Sequence, residues 1–246
     1  MDLLLARMDD IARRAVKVGC AASKFLTPAE TESVAQKFSR RRDVDLTFDG
    51  GFEGAERVRA IFANPDWGTH ERNEIFAALK ISHRSQDTLA HRDILGALMA
   101  LGVERETLGD ILIHERFSLF VCLPEMAGYI ADNLTQAGRV GLSVAPIALE
   151  DLPPRVEDLK IKTDTVASLR LDAVLSAAFG LSRAKAAELI SAKRVSLNHQ
   201  LCLRPDKEAG ENALISVRGL GRAKLLEVGG VSKKGRSFVK IGIYAR

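Results

Sequence analysis

The stretch LSRAKAAELISAKRVSLNHQ, residues 181–200, gathers Arg183, Lys185, Lys193 and Arg194 around a single acid, Glu188. Ser182 is suited to cap a helix that runs to about Ala192. RVSLN then alternates in side-chain character, as a strand does. A short basic helix turning into a strand is either a solvated face or a docking surface for an anion. The residues on either side decide which.

Upstream, LRLDAVLSAAFG places Leu171, Val174, Leu175 and Ala178 at the i, i+3, i+4, i+7 spacing of one apolar helix face. Downstream, ALISVRG alternates as a strand. LLEVGG and RSFVKIGIYAR flank VSKKG as a terminal hairpin, with Lys233, Lys234 and Arg236 at its tip.

Charge divides the chain. Residues 1–154 hold 18 Lys and Arg against 23 Asp and Glu, a net of −5. Residues 155–246 hold 18 against 9, a net of +9, and the two sum to the chain's +4. Clustered cations gain by displacing the counterions of phosphate, so the C-terminal part points to nucleic acid. The sign changes at EDLPPRVEDLKIKTDT (150–165), where Pro153 and Pro154 forbid helix and stiffen the chain. That marks 151–165 as a linker and 166–246 as a separate domain.

Residues 73–150 read as a second unit. EIFAALKIS alternates as a strand, and HRDILGALMALG is a helix ending at Gly102. DILIHE and FSLFVCL are strands. PEMAGYIADNLTQAG is a helix with Pro124 at its start and Gly138 just past its end, and RVGLSVAPIAL is a last strand. The order βαββαβ is that of ferredoxin-like and RRM-like sandwiches, a fold that hosts many functions. Phe76, Phe117 and Phe120 fall on its strands, but the stacking-aromatic signature of RNA-binding RRMs is missing, and the rings read as core. Residues 1–72 read as mainly helical. In FLTPAE, Thr27 and Glu30 form a capping box and Pro28 suits the first turn. SRRRD (39–43) either completes that helix against its dipole or contacts RNA. DGGFEGAERVRAIFANPDW turns at Gly50–Gly51, re-enters helix over Ala55–Ala63 and stops at Asn64–Pro65.

Several classes are set aside. Apolar runs are far shorter than the ~20 residues of a membrane span. Asp2 and a three-leucine run do not make a signal peptide. Cys20, Cys122 and Cys202 are far apart, form no CxxC, and suit free thiols in a reducing cytoplasm rather than zinc ligands. HRD (91–93) is the start of a kinase catalytic loop only by letters, because Leu98 stands where the loop needs Asn. No catalytic constellation, metal site or cofactor loop is present, so neither an enzymatic activity nor a cofactor is expected.

The segment 168–219 resembles an S4 RNA-binding domain in Arg170-Leu171-Asp172, in Ser182-Arg183 and in KRVSLN (193–198). It departs from the pattern at His199, where Gly is usual, and at Glu211-Asn212. The resemblance implies an L-shaped basic surface that follows a structured RNA backbone without reading bases. Arg183 and Lys185 sit at the phosphate-attracting start of one helix, and Lys193, Arg194 and Asn198 on the adjoining turn and strand. Arg170, Ser182, Arg222, Lys224, Lys233, Lys234 and Arg236 complete the expected contacts. Asp172 is expected to start a helix or pair with a cation. His91 and Arg92 are a candidate second contact, the alternative being that His91 caps its helix and Arg92 pairs with an acid.

Beyond that segment, FLTPAE, GGFEGAERVRAIF, HRDILGALMALGVERETLGDILIHE and GRAKLLEVGGVSKKGRSFVKIGIY resemble the YlmH family of bacterial S4-domain proteins. The resemblance implies an α+β chain with a helical N-terminal part, an RRM-like middle and a C-terminal S4 domain. It also implies a cytoplasmic, monomeric, non-enzymatic RNA-binding protein of ribosome-associated quality control. Its implied partners are rRNA of the large ribosomal subunit, tRNA, and a factor that tails stalled nascent chains; a membrane is not among them. The competing class is an S4-containing pseudouridine synthase or rRNA methyltransferase. In many such enzymes the S4 module precedes the catalytic domain; here it is last.

Overall fold

The structure, a computed structural model, describes residues 2–67, 71–84, 89–155, 159–232 and 235–244. The chain divides into two compact units, Met1–Arg155 and Val156–Arg246.

The first unit begins with α1 (Asp2–Val18), β1 (Cys20–Leu26), α2 (Pro28–Phe38), β2 (Asp45–Asp49) and β3 (Val58–Ala63). The capping box is present. The Glu30 N–H donates to Thr27 Oγ1 at 3.4 Å, and the Thr27 N–H donates to Glu30 Oε2 at 2.7 Å. These residues were expected to be mainly helical, and the sheet β1-β3-β2 was not expected. Residues 55–63, read as helix, instead hold the central strand. The reason is burial on both sides. Ala60 and Phe62 pack with Val34, Phe38 and Met8 on one face, while Ile61 packs with Phe25 and Phe76 on the other. A strand covered on both faces loses its period-2 signature and cannot be told from a helix by pattern alone.

The unit continues with β4 (Ala77–Ser82), α3 (His91–Ala100), β5 (Leu108–Ile113), β6 (Phe117–Cys122), α4 (Pro124–Asn133), β7 (Gln136–Ala137), β8 (Val140–Gly141) and β9 (Ser143–Ile147). The sheet order β5-β6-β4-β9 is fully antiparallel, the split-βαβ arrangement. Helix α3 ends as expected, with Gly102 at φ 81 and the Val103 N–H donating to the Leu98 carbonyl at 3.3 Å. Helix α4 stops earlier than read, at Asn133, and Gly138 lies between the paired strands β7 and β8 at φ 60.

Leu79, Ile81 and Phe120 face Ile94, Leu98 and Ile130 of the two helices. On the opposite face, Ala78, Leu119 and Val121 pack with Phe25, Phe52 and Ile61 of the N-terminal part. The sheet face that an RRM would present to RNA is therefore occupied by protein.

The second unit holds β10 (Leu159–Val166), α5 (Leu171–Phe179), α6 (Arg183–Ser191), β11 (Val195–Leu197), β12 (Gln200–Leu201), β13 (Leu214–Val217), β14 (Gly221–Val231) and β15 (Ser237–Tyr244). Its sheet runs β10-β15-β14-β13-β11-β12, and β14 and β15 form the expected terminal hairpin. Residues 159–165, read as linker, are instead strand, because β10 pairs with β15 from Leu159↔Tyr244 to Val166↔Ser237. The Lys160, Lys162 and Asp164 alternation hid that strand among its charges. Leu171, Val174 and Leu175 of α5 and Ala186 and Ile190 of α6 pack with Ile215, Leu225 and Ile241, so both helices cover one face of the sheet.

Candidate nucleic-acid interface

Ser182 caps α6 as expected, its hydroxyl accepting the Lys185 N–H at 3.1 Å. The first turn of α6 holds Arg183 and Lys185 and no acid. Two cations thus stand at the positive end of a helix dipole, which is unfavourable unless anions answer them. Two carboxylates do so in part. Lys185 Nζ donates to Glu188 Oε1 at 2.7 Å, with both side chains exposed. Arg183 Nη2 donates to both oxygens of Asp172 at 2.7 Å.

Asp172, in the first turn of α5, is the hub of this corner. Its side chain is only 8% exposed, and it also accepts from Arg170 at 3.2 and 3.1 Å. Burial pushes its carboxyl upward, but the hydrogen bonds from Arg170 and Arg183 outweigh that and hold it below the usual carboxylate range. The same hydrogen bond holds the Arg170 guanidinium above its ordinary value. Arg170 is the N-cap residue of α5. Arg170 and Arg183 are thus half-exposed structural cations. Arg183 keeps an exposed side chain and also bonds the buried acid, a second role that its place in the sequence did not announce.

Lys193 and Arg194 follow α6 on an exposed turn, with Lys193 at φ 59. Arg194 Nη2 donates to the Arg218 carbonyl at 2.6 Å, while the Arg218 N–H donates to the Arg194 carbonyl at 2.9 Å. The two turns are thereby laced together beside a cavity of about 510 Å³ whose lining includes Lys193, Arg194, Arg218, Arg222, Ser196 and Ser216 and no acid. Arg218 was missed in the sequence, though VRGLGR (217–222) carries the signal: cations beside turn-forming glycines. Gly219 is needed there. Its φ is +89, and a Cβ would lie 2.7 Å from Arg194 Nη2.

Asn198 and His199 are the central residues of the hairpin between β11 and β12, at φ 48 and 66. Positive φ at both positions fits a type I′ turn, so His199 takes the conformation usually left to Gly. Asn198 Oδ1 accepts the Leu214 N–H at 2.9 Å, which ties the turn to β13. Arg222 and Lys224 lie on β14, with Arg222 over the Tyr244 ring at 4.5 Å. Arg236 Nε donates to Thr165 Oγ1 at 3.0 Å, joining the terminal hairpin to β10. Lys233 and Lys234 lie outside the described residues.

In the first unit the N-cap of α3 is Ala90, not His91, and Asp93 Oδ2 accepts the Ala90 N–H at 2.9 Å. Arg92 is nearly fully exposed, with Nε 3.7 Å from Asp93 Oδ1. His91 borders a cavity with Arg57, Arg105, Asp110 and Arg155. Burial first, then Arg105, lowers its pKa. The three cysteines are unpaired, and burial pushes the Cys122 thiol up to about 12. Among the described residues, no group of three or more His, Cys, Asp or Glu could hold a metal ion, and no helix is long and apolar enough to cross a membrane.

Three family models match the chain: the YlmH N-terminal domain over residues 4–67, the proposed RNA-binding domain of YlmH over 76–151, and the S4 domain over 169–215. A relative from Bacillus subtilis (strain 168), "Ribosome-associated protein quality control protein P2", is 36% identical over 213 residues, spanning 85% of this chain and 82% of the relative. The solved structure of "Cell division protein ylmH from Streptococcus pneumoniae" overlays with a TM-score of 0.52 at 15% identity, covering 62% of this chain and 92% of that one. At that identity the overlay speaks for the fold alone.

Proposed function

Because the chain belongs to the YlmH family, whose models cover its N-terminal, middle and S4 segments, we propose that it binds structured RNA of the large ribosomal subunit, together with peptidyl-tRNA, in quality control of stalled nascent chains. The observation that carries this reading is the corner of the second unit. Arg183 and Lys185 open α6, and Lys193, Arg194, Arg218 and Arg222 border an acid-free cavity beside its exit. Backbone phosphates suit this array, since guanidinium forks and a helix start take anionic oxygens without regard to base sequence. The name of the Bacillus subtilis relative supports the ribosomal setting.

In this reading Lys185, Lys193, Arg194, Arg222 and Lys224 contact phosphate directly. Arg170, Ser182, Arg183, Asn198 and Arg236 hold the surface in shape and offer their remaining donors. Lys233 and Lys234 add charge at the hairpin, and His91 with Arg92 forms a smaller second contact. The domains act as an N-terminal part of α1, α2 and the three-stranded sheet β1-β3-β2, an RRM-like middle and an S4 module. The protein is a cytoplasmic monomer that works by binding rather than catalysis.

The test is sedimentation of the full chain with purified ribosomal subunits at several salt concentrations. Cosedimentation with the large subunit that falls steeply with salt is expected. Cosedimentation that does not change with salt, or that favours the small subunit, would overturn it. Methyl-transfer and pseudouridylation assays on deproteinised rRNA should stay at background.

A further inference from the structure

The register of the C-terminal sheet separates its side chains into two sets. Ala223, Leu225, Val239 and Ile241 point to α5 and α6. The alternate residues point to the opposite face. On β15 these are Phe238, Lys240, Gly242 and Tyr244, opposed by Ile161 across from Gly242 and by Thr163 across from Lys240. On β14 they include Arg222 and Lys224, opposed by Ser216 and Leu214. Phe238 is 45% exposed and Ile161 is 50% exposed. Arg222 stands over the Tyr244 ring. Gly242 lets the Leu159 and Leu226 side chains close over the middle of this face, since a Cβ there would meet Leu159 Cδ1 at 2.8 Å and Leu226 Cδ1 at 3.2 Å.

The face is therefore two aromatic rings on one strand, six residues apart, with Lys240 between them and Arg222 and Lys224 alongside. Glu227, across from Lys240, is the acid among these outward positions on β14 and β15. Arg222 and Ser216 of this face also line the cavity shared with Ser196, Lys193, Arg194 and Arg218. It lies on the side of the sheet opposite the helix corner of Arg170, Arg183 and Lys185.

We propose that this sheet face is a second RNA surface, which meets the S4 corner at the cavity that Arg222 borders and takes an unpaired RNA segment with bases stacked on Phe238 and on the Arg222–Tyr244 pair and phosphates on Lys224 and Lys240. Rings set among cations are what unpaired strands require, because every base has a π-face and every linkage a charge. A duplex buries its bases and has no use for the rings. Charge selects the occupant: a unit whose 17 Lys and Arg against 9 Asp and Glu give a net of +8, and whose outward positions on β14 and β15 hold three cations to one acid, favours a polyanion over a cationic partner. This surface rests on the RNA-binding reading above and divides the work between two faces, a paired backbone on the helices and an unpaired strand on the sheet.

The test uses the full chain, a short oligouridylate as the unpaired probe and an RNA hairpin as the paired probe. Phe238→Leu with Tyr244→Leu keeps apolar cover and removes the rings. Oligouridylate binding should weaken about fivefold or more per ring, with hairpin binding within twofold of the parent. Lys185→Glu, on the first turn of α6 and outside the cavity, should weaken hairpin binding more than oligouridylate binding. Circular dichroism melts confirm that each variant folds, and Phe238→Trp alone, which keeps a ring at that position, should keep the parent affinity. Oligouridylate binding unchanged by the double leucine variant, or both probes weakened equally by it, would overturn the second surface. If the parent bound neither probe, the RNA-binding reading itself would fall, and the sheet surface with it.

Discussion

Asp172→Asn tests whether the basic corner is held up by a buried acid. The substitution keeps the shape and one acceptor oxygen, but removes the charge that Arg170 and Arg183 share. A hydrogen bond to a charged group contributes about 1.5–3 kcal/mol net. Two arginines donate, yet each is about half exposed, so water recovers part of the loss. We therefore set the cost at about 2 kcal/mol. For a unit the size of 156–246, each kcal/mol moves the midpoint by about 4–8 °C, so melting should fall by about 8–16 °C. Scanning calorimetry of the full chain at neutral pH reads this directly. The pH dependence carries the sign. A carboxyl held low in the folded state stabilises above its unfolded pKa of about 3.9, and that stabilisation is lost as pH falls through the lower folded value. The gap between parent and variant should thus be full at pH 6 and close as the solution is acidified. An Asn variant that melts with the parent at neutral pH, or a gap that widens in acid, would refute the structural role of Asp172. By the same geometry, Arg183→Glu sets two carboxylates together and unfolds the corner, so it is not a clean probe of binding.

Three further outcomes follow from neighbouring geometry. Lys193→Glu, on an exposed turn, should leave the melting midpoint within about 2 °C, because surface charges contribute little to stability, while large-subunit cosedimentation weakens and its salt dependence flattens. Gly219→Ala should cost about 1 kcal/mol, from the left-handed φ and the clash with Arg194, and weaken RNA binding by moving that guanidinium; a neutral effect on both would contradict the account of the turn. His91→Ala with Arg92→Ala should leave melting unchanged and reduce ribosome binding, whereas a stability loss with full binding would make the pair structural.

The parts legible in the sequence were those with one buried face and a local punctuation mark. Thr27 and Glu30 announced α2, Gly102 closed α3, and the spacing from Leu171 to Ala178 revealed α5. The β3 strand was misread because Ala60, Ile61 and Phe62 are buried in two different cores, which erases alternation. β10 was missed because an edge strand with Lys160, Lys162 and Asp164 looks like a linker until its long-range partner β15 is known. The cations of the candidate site were visible by type, but their roles were not. The sequence shows Arg183 and Asp172 eleven residues apart, and only the packing of α5 on α6 brings them to 2.7 Å. Arg218 reaches the site through a turn-to-turn bond with Arg194, a pairing with no local signature.

Ultraviolet crosslinking in cells, followed by sequencing of the RNA bound to the parent chain and to the Lys185→Glu, Lys193→Glu variant, tests the central claim most directly. The account predicts reads concentrated on large-subunit rRNA and on tRNA for the parent, and their loss in a variant that still melts cooperatively. Reads spread evenly over cellular RNA, or the same large-subunit peaks in parent and variant, would contradict it.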